Sequence, residues 1–432
     1  MKNEFNEIIN QLAIKGKELG FYHLATQDEK FDGRTITVNG REYVFFSSCS
    51  YLGLETHPAM KAAAIDAVQR YGTQFSSSRM TVSMGMYEEL EGLLGQIYGK
   101  PTYLAPTTSL GHIATIPTMM DEGDAIIMDQ QVHNSVKNAE QMVKPEGPHT
   151  EIIKHNRMDH LETRSQILRQ NYKRVWYMCD SVYSMFGDAA PFGEIYELLN
   201  KYEEFHLYVD DAHGMSWAGK HGRGYVLSKI PYHPRMILTT SLAKGFGSCG
   251  GALAFYDEDQ KNLIKNCSGP SIFSGPLQPA VLGASIASAK IHLSDEIDTL
   301  QDDLYERMFY FNQMASKHGV PVVSSELTPI SFIATGKKEV SYKLASFLQN
   351  EGFYCMTTVF PAVPMKNSGL RITVHNHLTL KDIDGILERI AYALPNILKE
   401  ENSSMEEIYQ AFGLNPNKPK EIVTPFERRK IA

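Results

Sequence analysis

The chain has 432 residues, 43% of them hydrophobic, which is enough to build a large buried core and two or three domains. A formal net charge of −8 argues against a nucleic-acid-binding surface, because neutralising phosphates requires clustered lysine and arginine side chains. This charge indicates small molecules as partners. No stretch approaches the ~20 apolar residues that a membrane-spanning helix needs, although a peripheral membrane contact stays open.

The first part of the chain alternates between helical and strand patterns. A helix and then strands around residues 35–46 come first, and amphipathic segments then alternate with short apolar runs. Helices are predicted at 58–71, 87–97, 157–170 and 191–202, and strands at 125–128, 174–178, 206–209, 236–240 and 251–256. Such a β/α succession predicts an α/β protein with a buried, mostly parallel sheet.

The pattern changes after about residue 271. Long helices are predicted at 278–293 and 294–318, followed by strand, helix, strand, strand and helix through Leu394, which indicates a second, α+β domain. We therefore expect a large domain over 56–290 and a small domain over 291–400. Residues 1–55 should pack with the small domain, and 401–432 form a polar extension.

The cysteine pattern bears on the compartment. There are five cysteines, an odd number, and none has CxxC or Cys/His metal spacing, which is typical of reduced thiols rather than of a disulfide framework or a zinc site. The N-terminal segment mixes charged and apolar residues at helical spacing, unlike a secretory signal. A cytoplasmic protein without a metal site is predicted.

Two polar segments begin where predicted strands end. One carries Asp210 and the other carries Lys244, and ligands of a doubly wound sheet lie outside the carboxyl ends of its strands. A lysine amine can form a Schiff base with an aldehyde cofactor, and a carboxylate can keep a pyridine nitrogen protonated. Either residue alone would more often be a solvated loop lysine or a helix cap. Together they indicate a pyridoxal phosphate site.

Further motifs follow each other in a fixed order along the chain. They are Ser-Tyr-Leu-Gly-Leu at 50–54 with His57-Pro58, Ser78-Arg79, the segment 129–135 around His133, Ser-Val-Tyr-Ser-Met at 181–185, the segments 210–214 and 241–251, and Gly-Leu-Arg-Ile at 369–372. In this order, and over most of its length, the chain resembles the α-oxoamine synthase family of fold-type-I pyridoxal phosphate enzymes. The resemblance implies a large domain with a mostly parallel, seven-stranded sheet and a smaller α+β C-terminal domain.

The resemblance implies a role for each residue around the cofactor ring. Lys244 would carry the cofactor covalently, and Asp210 would be the partner of the pyridine nitrogen. His213 would hydrogen-bond to the phenolic oxygen, and His133 would stack on the ring face, where an imidazole fixes the ring plane. Ser181 is also implied as a cofactor-binding residue.

The resemblance also implies how phosphate and substrate are held. Backbone N–H groups at Thr108 and Ser109 would bind the cofactor phosphate at a helix start, together with the hydroxyl of Ser241. Ser274 would be donated by the other subunit, so the resemblance implies a homodimer with shared active sites. Arg371, whose planar fork suits a carboxylate, would bind the amino acid.

Some positions depart from the family pattern. The histidine expected before residues 88–91 is Tyr87, and the usual asparagine of the phosphate loop is His112. Many members carry Glu-Gly where this chain has Asp180-Ser181, a form similar to autoinducer-type synthases.

The implied reaction is a condensation of an amino acid with an acyl thioester, acyl-CoA or acyl carrier protein, with decarboxylation to an α-oxoamine. Glycine, alanine, serine and cysteate stay open as the amino acid. The apolar loop at 360–364 favours a long-chain donor, as in serine palmitoyltransferase or cysteate acyltransferase and in sphingolipid-like biosynthesis. The alternative is an aminotransferase or decarboxylase on the same fold, which would use Lys244, Asp210 and Arg371 as well.

Overall fold

The computed structural model describes residues 2–143 and 147–415, which divide into two units. The large unit comprises Leu52–Ser184 and Ala189–Asp302. The small unit comprises the chain up to Tyr51, the segment Met185–Asp188 and the chain from Asp303 onwards. Whether these units coincide with the domains expected from the sequence stays a prediction.

Helices and short strands succeed each other through both units. The strands are β1 (Thr35–Val38), β2 (Arg41–Phe45), β3 (Thr102–Ala105), β4 (Asp124–Asp129), β5 (His149–Ile153), β6 (Arg174–Asp180), β7 (Phe205–Asp210), β8 (Met236–Ser241), β9 (Gly251–Ala254), β10 (Ile330–Gly336), β11 (Phe353–Tyr354), β12 (Met356–Thr358) and β13 (Ser368–Thr373). The helices are α1 (Lys2–Glu18), α2 (Pro58–Tyr71), α3 (Met86–Tyr98), α4 (Thr108–Met119), α5 (Asn134–Glu140), α6 (Met158–Leu168), α7 (Phe192–Lys201), α8 (Tyr225–Lys229), α9 (Glu258–Cys267), α10 (Gly269–Phe273), α11 (Pro279–His292), α12 (Glu296–Lys317), α13 (Lys338–Asn350), α14 (Leu380–Glu400) and α15 (Met405–Phe412).

In the described part of the chain, the large unit is built on a seven-stranded sheet with the order β3-β9-β8-β7-β6-β4-β5. The neighbours from β8 to β5 pair in parallel, whereas β9 is antiparallel to both β8 and β3. Strands β4 and β8 are buried along their whole length, as expected for a sheet covered on both faces. The mostly parallel seven-stranded sheet is thereby confirmed.

The small unit contains two further sheets of three strands within the described residues. One has the order β10-β13-β12 and is antiparallel, and the other joins β1 and β2 to β11. The strands expected around 35–46 form a hairpin, β1 and β2, whose second strand pairs with Phe353 and Tyr354. A capping box at Thr379 and Asp382 begins α14, the helix expected near the end of this region.

The extension expected over 401–432 is described as far as Asn415, and the rest of it lies outside the described residues. Its described part contains α15, whose N-cap Ser404 accepts a hydrogen bond from the backbone of Glu407. Over the described residues, no helix has both the length and the apolar character needed to cross a membrane.

Candidate active site

The carboxyl ends of the central strands carry polar residues. Strands β4, β6 and β7 each end in an aspartate, namely Asp129, Asp180 and Asp210, and β8 ends at Ser241. The sheet register places Asp180 opposite Asp210, and Asp210 opposite Thr239. Because these strands are parallel, their ends meet at one edge of the sheet, which is where ligands of such sheets bind.

A cavity of about 240 Å3 lies in the large unit at this edge. Its lining combines hydroxyl, imidazole, carboxylate and amine groups, and comprises Thr107, Thr108, Ser109, His133, Ser135, Asp180, Val182, Asp210, Ala212, His213, Ser241, Ala243, Lys244, Cys249 and Gly250. The structure therefore brings together most of the residues that the sequence had singled out.

The pKa values of two carboxyl groups at this edge, Asp180 and Asp210, are shifted in opposite directions. Burial, reinforced by the negative charge of Asp210, raises the pKa of Asp180 well above its usual value. Burial acts in the same direction on Asp210, but His112, Lys244 and His133 outweigh it and hold the pKa of Asp210 at about 2. Asp210 is therefore the more acidic group of the pair and is ionised near pH 7.

The ionised carboxylate of Asp210 is hydrogen-bonded on both oxygens. Its Oδ1 accepts the backbone N–H of Ala212 at 3.0 Å, and its Oδ2 lies 3.0 Å from Nε2 of His112. Nδ1 of the same imidazole lies 2.8 Å from the hydroxyl of Tyr208, to which Thr239 donates at 3.0 Å. The carboxylate is thus anchored from the sheet below and from α4 beside it.

The start of α4 forms the part of the cavity suited to an anion. Thr107 caps the helix by accepting the N–H of Leu110 at 3.1 Å, and the first N–H groups of a helix have no partner within it. Strand β9 passes close by, since a Cβ on Gly251 would lie 2.7 Å from backbone atoms of Thr108. A helix start with hydroxyl groups around it is a site for a phosphate.

Lys244 lies half-buried in the tight loop between β8 and β9. Backbone hydrogen bonds close this loop on itself, from Leu242 N to Gly250 O at 3.0 Å and from Ser248 N to Leu242 O at 2.9 Å. Gly250 has a φ of +113°, a conformation that favours glycine. The loop therefore holds the lysine amine in the cavity on a rigid backbone.

The two histidines expected at the site both line the cavity. Nδ1 of His133 accepts hydrogen bonds from the backbone N–H and the hydroxyl of Ser135, and the backbone N–H of His133 donates to Oδ1 of Asp180 at 3.0 Å. Burial lowers the pKa of His133, so its ring is neutral near pH 7. His213 is buried, and its carbonyl accepts the indole N–H of Trp217 at 2.6 Å.

Three of the expected residues are not in the cavity lining as described. Ser181 is buried beside it, where its backbone N–H donates to the carbonyl of Asp210, and Asp180 lines the cavity instead. Ser274 donates its hydroxyl to the carbonyl of Pro270 at 2.7 Å. Arg371 belongs to the small unit, where it is buried on β13.

Sequence reasoning missed two contributors to the site. Asp180 ends β6 just as Asp210 ends the neighbouring β7, and this shared position could have identified it. His112 follows Thr108 by four residues on α4, so the two lie on the same face of the helix. The spacing of His112 and Thr108 could be read from the sequence. The contact of His112 with Asp210 could not, because it joins positions 98 residues apart.

Comparison with known proteins gives consistent results. A model of the aminotransferase class I and II family matches residues 41–390. The chain is 31% identical to 8-amino-7-oxononanoate synthase of Thermoanaerobacter pseudethanolicus, covering 88% of this chain and 95% of that one. It is 27% identical to serine palmitoyltransferase of Bacteriovorax stolpii, covering 88% and 89%. The structure of serine palmitoyltransferase from S. paucimobilis with bound PLP matches with a TM-score of 0.84, 20% identity and coverage of 91% and 98%, a likeness of fold.

The sheet, the cavity at its carboxyl edge and these matches define a fold-type-I pyridoxal phosphate transferase. The chain belongs to the aminotransferase class I and II family, and its relatives make it a pyridoxal-phosphate-dependent acyltransferase of the α-oxoamine synthase group.

The residues of the cavity fit this cofactor. A primary amine on Lys244, an ionised carboxylate on Asp210 and a helix start at Thr108 offer partners for an aldehyde, a protonated ring nitrogen and a phosphate.

Proposed function

We propose that this enzyme joins an amino acid to an acyl thioester and releases carbon dioxide and a thiol, giving an α-oxoamine. The observation that carries the proposal is the presence of Lys244 and an ionised Asp210 in the wall of one cavity. Relatives named for acyl condensations, 8-amino-7-oxononanoate synthase and serine palmitoyltransferase, support this reaction type.

The cavity residues would divide the binding of pyridoxal phosphate among them. Lys244 would hold it covalently, Asp210 would face the ring nitrogen, His133 would stack on the ring and His213 would bond to the phenolic oxygen. Its phosphate would lie at the start of α4, against the first-turn N–H groups and the hydroxyl of Ser241. When bound, the cofactor supplies an aldehyde for the substrate amine and a ring that takes up the electron pair left on Cα.

The reaction then needs few protein groups. Nζ of Lys244 takes a proton from Cα, and Cα forms a bond with the acyl carbonyl carbon as the carbon–sulfur bond breaks. The thiolate takes a proton from solvent, the carboxylate leaves as carbon dioxide, and Nζ returns a proton to Cα. Asp210, which is ionised, would favour a proton on the ring nitrogen of the bound cofactor, and Arg371 would bind the substrate carboxylate.

We favour a long-chain acyl donor. In the loop at 360–364 and just after it, Pro361, Ala362, Pro364 and Met365 are exposed, with Met365 74% exposed, so apolar surface is available there. The serine palmitoyltransferase relative also supports this choice. Glycine, alanine, serine and cysteate all carry the amine and the carboxylate that this reaction requires, and each is a candidate for the amino acid.

We also propose a homodimer in which Ser274 of each chain reaches the cofactor phosphate of the other. Phe273, the residue before it, is 86% exposed, and a phenyl group this exposed favours burial against a partner. Ser274 follows the short helix α10 as its C-cap residue, next to the exposed Phe273, and its hydroxyl donates to the carbonyl of Pro270.

Borohydride reduction of the purified protein tests the assignment of the lysine. Reduction should fix the cofactor to the peptide that contains Lys244, and peptide mass mapping should find it on no other lysine. The Lys244→Ala variant provides the control and should bind the cofactor only reversibly. Fixation on another lysine would contradict the proposal.

A matrix of substrates tests the reaction. Glycine, alanine, serine and cysteate are each combined with acyl-CoA esters of increasing chain length and with acyl carrier protein thioesters, and thiol release and product mass are measured. The proposal predicts a product that carries both the acyl group and the amine. Transfer of the amine to an oxo acid without acyl gain would instead favour the aminotransferase alternative.

A further inference from the structure

We propose that His112, Tyr208 and Thr239 form a hydrogen-bonded relay that fixes the carboxylate of Asp210 as the ionised partner of the cofactor's ring nitrogen. We call these three residues the His112 relay. The inference deepens the proposed function, on whose assignment of Asp210 it rests. His112 acts here as a positioning residue, because it touches Asp210 and not the substrate.

The hydrogen bonds of the relay run in one direction, from Thr239 through Tyr208 and His112 to Asp210. The hydroxyl of Thr239 donates to the oxygen of Tyr208 at 3.0 Å, which leaves the proton of Tyr208 to donate to Nδ1 of His112 at 2.8 Å. With Nδ1 accepting, the neutral imidazole carries its proton on Nε2, which lies 3.0 Å from Oδ2 of Asp210. The relay thus selects the one neutral tautomer that can donate to the carboxylate.

The elements fix this geometry. Tyr208 and Asp210 are two residues apart on β7 and therefore face the same side of the sheet, towards α4. Thr239 lies on β8 directly opposite Asp210. His112 comes from α4, the helix whose first turn lines the cavity, so the relay ties the helix start to the strand end.

Burial makes the relay strong. His112, Tyr208 and Thr239 are fully buried, and hydrogen bonds in such surroundings are strengthened electrostatically. Burial raises the pKa of Tyr208, so its hydroxyl keeps the proton that it donates. His112 contacts Oδ2 of Asp210 through its side chain, whereas the hydrogen bond to Oδ1 comes from the backbone of Ala212.

The departure from the family pattern at position 112 suggests substitutions that test the relay. An asparagine, the residue usual at position 112, has its amide about where Nδ1 of the imidazole lies and is too short to reach Asp210 as Nε2 does. A glutamine is one methylene longer and can place its N–H near the position of Nε2. His112→Asn and His112→Gln are therefore a matched pair that separates filling the core from donating to the carboxylate.

Equilibrium binding to the apoprotein tests the proposal. The affinities for pyridoxal phosphate and for its 1-deaza analogue, in which a C–H group replaces the ring nitrogen, are measured by dialysis for each variant. The ratio of the two affinities reports the contact between Asp210 and the ring nitrogen, because the aldehyde, the hydroxyl and the phosphate are common to both ligands. Asp210→Ala sets the ratio expected when that contact is absent.

We expect His112→Asn to lower the ratio by about tenfold, as for the loss of a hydrogen bond to a charged group, and His112→Gln to keep most of it. Tyr208→Phe, which preserves the packing of the ring, should lower the ratio by about threefold because the imidazole tautomer is no longer fixed. It serves as the second variant if His112→Asn does not fold.

The two hypotheses fail in different ways. If Asp210→Ala leaves the ratio unchanged, the role of Asp210 in the proposed function is wrong. If Asp210→Ala removes the preference but His112→Asn and Tyr208→Phe lower both affinities equally, or neither, the relay is only a part of the core and the inference is overturned.

Discussion

At the scale of single residues, the site depends on two neighbouring carboxyl groups whose pKa values are shifted in opposite directions. Asp180 and Asp210 end adjacent strands in register, yet Asp210 has an imidazole on Oδ2 and a depressed pKa, whereas burial raises the pKa of Asp180. Such divergence of pKa values within a pair is how one site obtains both an acid and a base. The proposed chemistry requires the anion at Asp210 and not at Asp180.

This difference predicts unequal effects of the same substitution. Asp210→Asn should retain some cofactor but lower kcat by at least about 100-fold, because the ring nitrogen is no longer held protonated. Asp180→Asn leaves the ionised carboxylate of Asp210 in place and should lower kcat by less than about tenfold. Steady-state kinetics of both variants checks this. Similar losses in the two variants would contradict the assignment.

The next residue, Asp211, gives a prediction about stability. Burial, reinforced by the negative charge of Asp210, raises the pKa of Asp211 to about 8 from the ordinary value of 3.8. Between these values the folded protein holds a proton on this carboxyl that the unfolded chain has lost. The protonated group therefore stabilises the fold most at low pH, and this contribution is lost as the pH rises from about 4 to about 8.

Asp211→Asn, which cannot titrate, isolates that contribution. The difference in unfolding free energy between wild type and variant should shift against the wild type as the pH rises through this window and stay constant above about pH 9. Denaturant unfolding of both proteins at a series of pH values measures it. A difference that does not change with pH would show that the carboxyl is not buried in its neutral form.

At the scale of elements, the start of α4 depends on the close passage of β9. The hydrogen atom of Gly251 is the only substituent that this approach allows, since a Cβ would meet the backbone of Thr108 at 2.7 Å. Because the helix and the strand are in close contact here, the first-turn N–H groups cannot move without a cost in packing energy.

Gly251→Ala should therefore destabilise the protein by about 1–3 kcal/mol and weaken the binding of pyridoxal phosphate. The matched control is Gly193→Ala in α7, where a Cβ would meet no atom within 4 Å. That variant should be neutral or slightly stabilising, because alanine favours a helix. Unfolding experiments and cofactor titrations on both variants check this, and equal cofactor affinities would argue against the helix start as the phosphate site.

Elements with strong local signals could be predicted from the sequence. Helix α2 runs from Pro58 to Tyr71 as expected, because proline suits the first turn and Gly72 follows the end. Strand β5 was missed because it lies at the sheet edge with only Ile153 buried, and α5 because it has seven residues. The region before β13 has two strands, β11 and β12, of two and three residues, where the pattern indicated one.

The candidate site, too, could be predicted only where the local sequence signal was strong. Lys244 and Asp210 could be identified because each follows a clear apolar strand, and the topology of parallel sheets then brings them together. The His112 relay could not, because its contacts join α4 to strands far along the chain and depend on packing rather than on local pattern.

At the scale of the whole molecule, each active site of the proposed dimer contains residues from both chains. Mixed dimers test this. Chains with Lys244→Ala are combined with chains carrying Ser274→Trp, whose bulk would exclude the phosphate. One site of each mixed dimer then has Lys244 from the second chain and an intact Ser274 from the first, so the two inactive variants should recover activity together, with about half the sites working.

Complementation requires that mixed dimers form and that each variant is folded, which native mass spectrometry and circular dichroism establish. If mixed dimers form and no activity returns, Ser274 acts only within its own chain. Dilution of the wild type should also reduce cofactor occupancy and activity in parallel if the dimer completes the site.

The balance of products tests the central claim, acyl condensation with decarboxylation, most directly. The enzyme is incubated with a carboxyl-labelled amino acid and an acyl thioester, and released thiol, labelled carbon dioxide and acylated product are counted in the same reaction. The account predicts equal amounts of all three, dependent on both substrates and abolished in Lys244→Ala. Labelled carbon dioxide without thiol, or thiol without labelled carbon dioxide, from every substrate pair would contradict it.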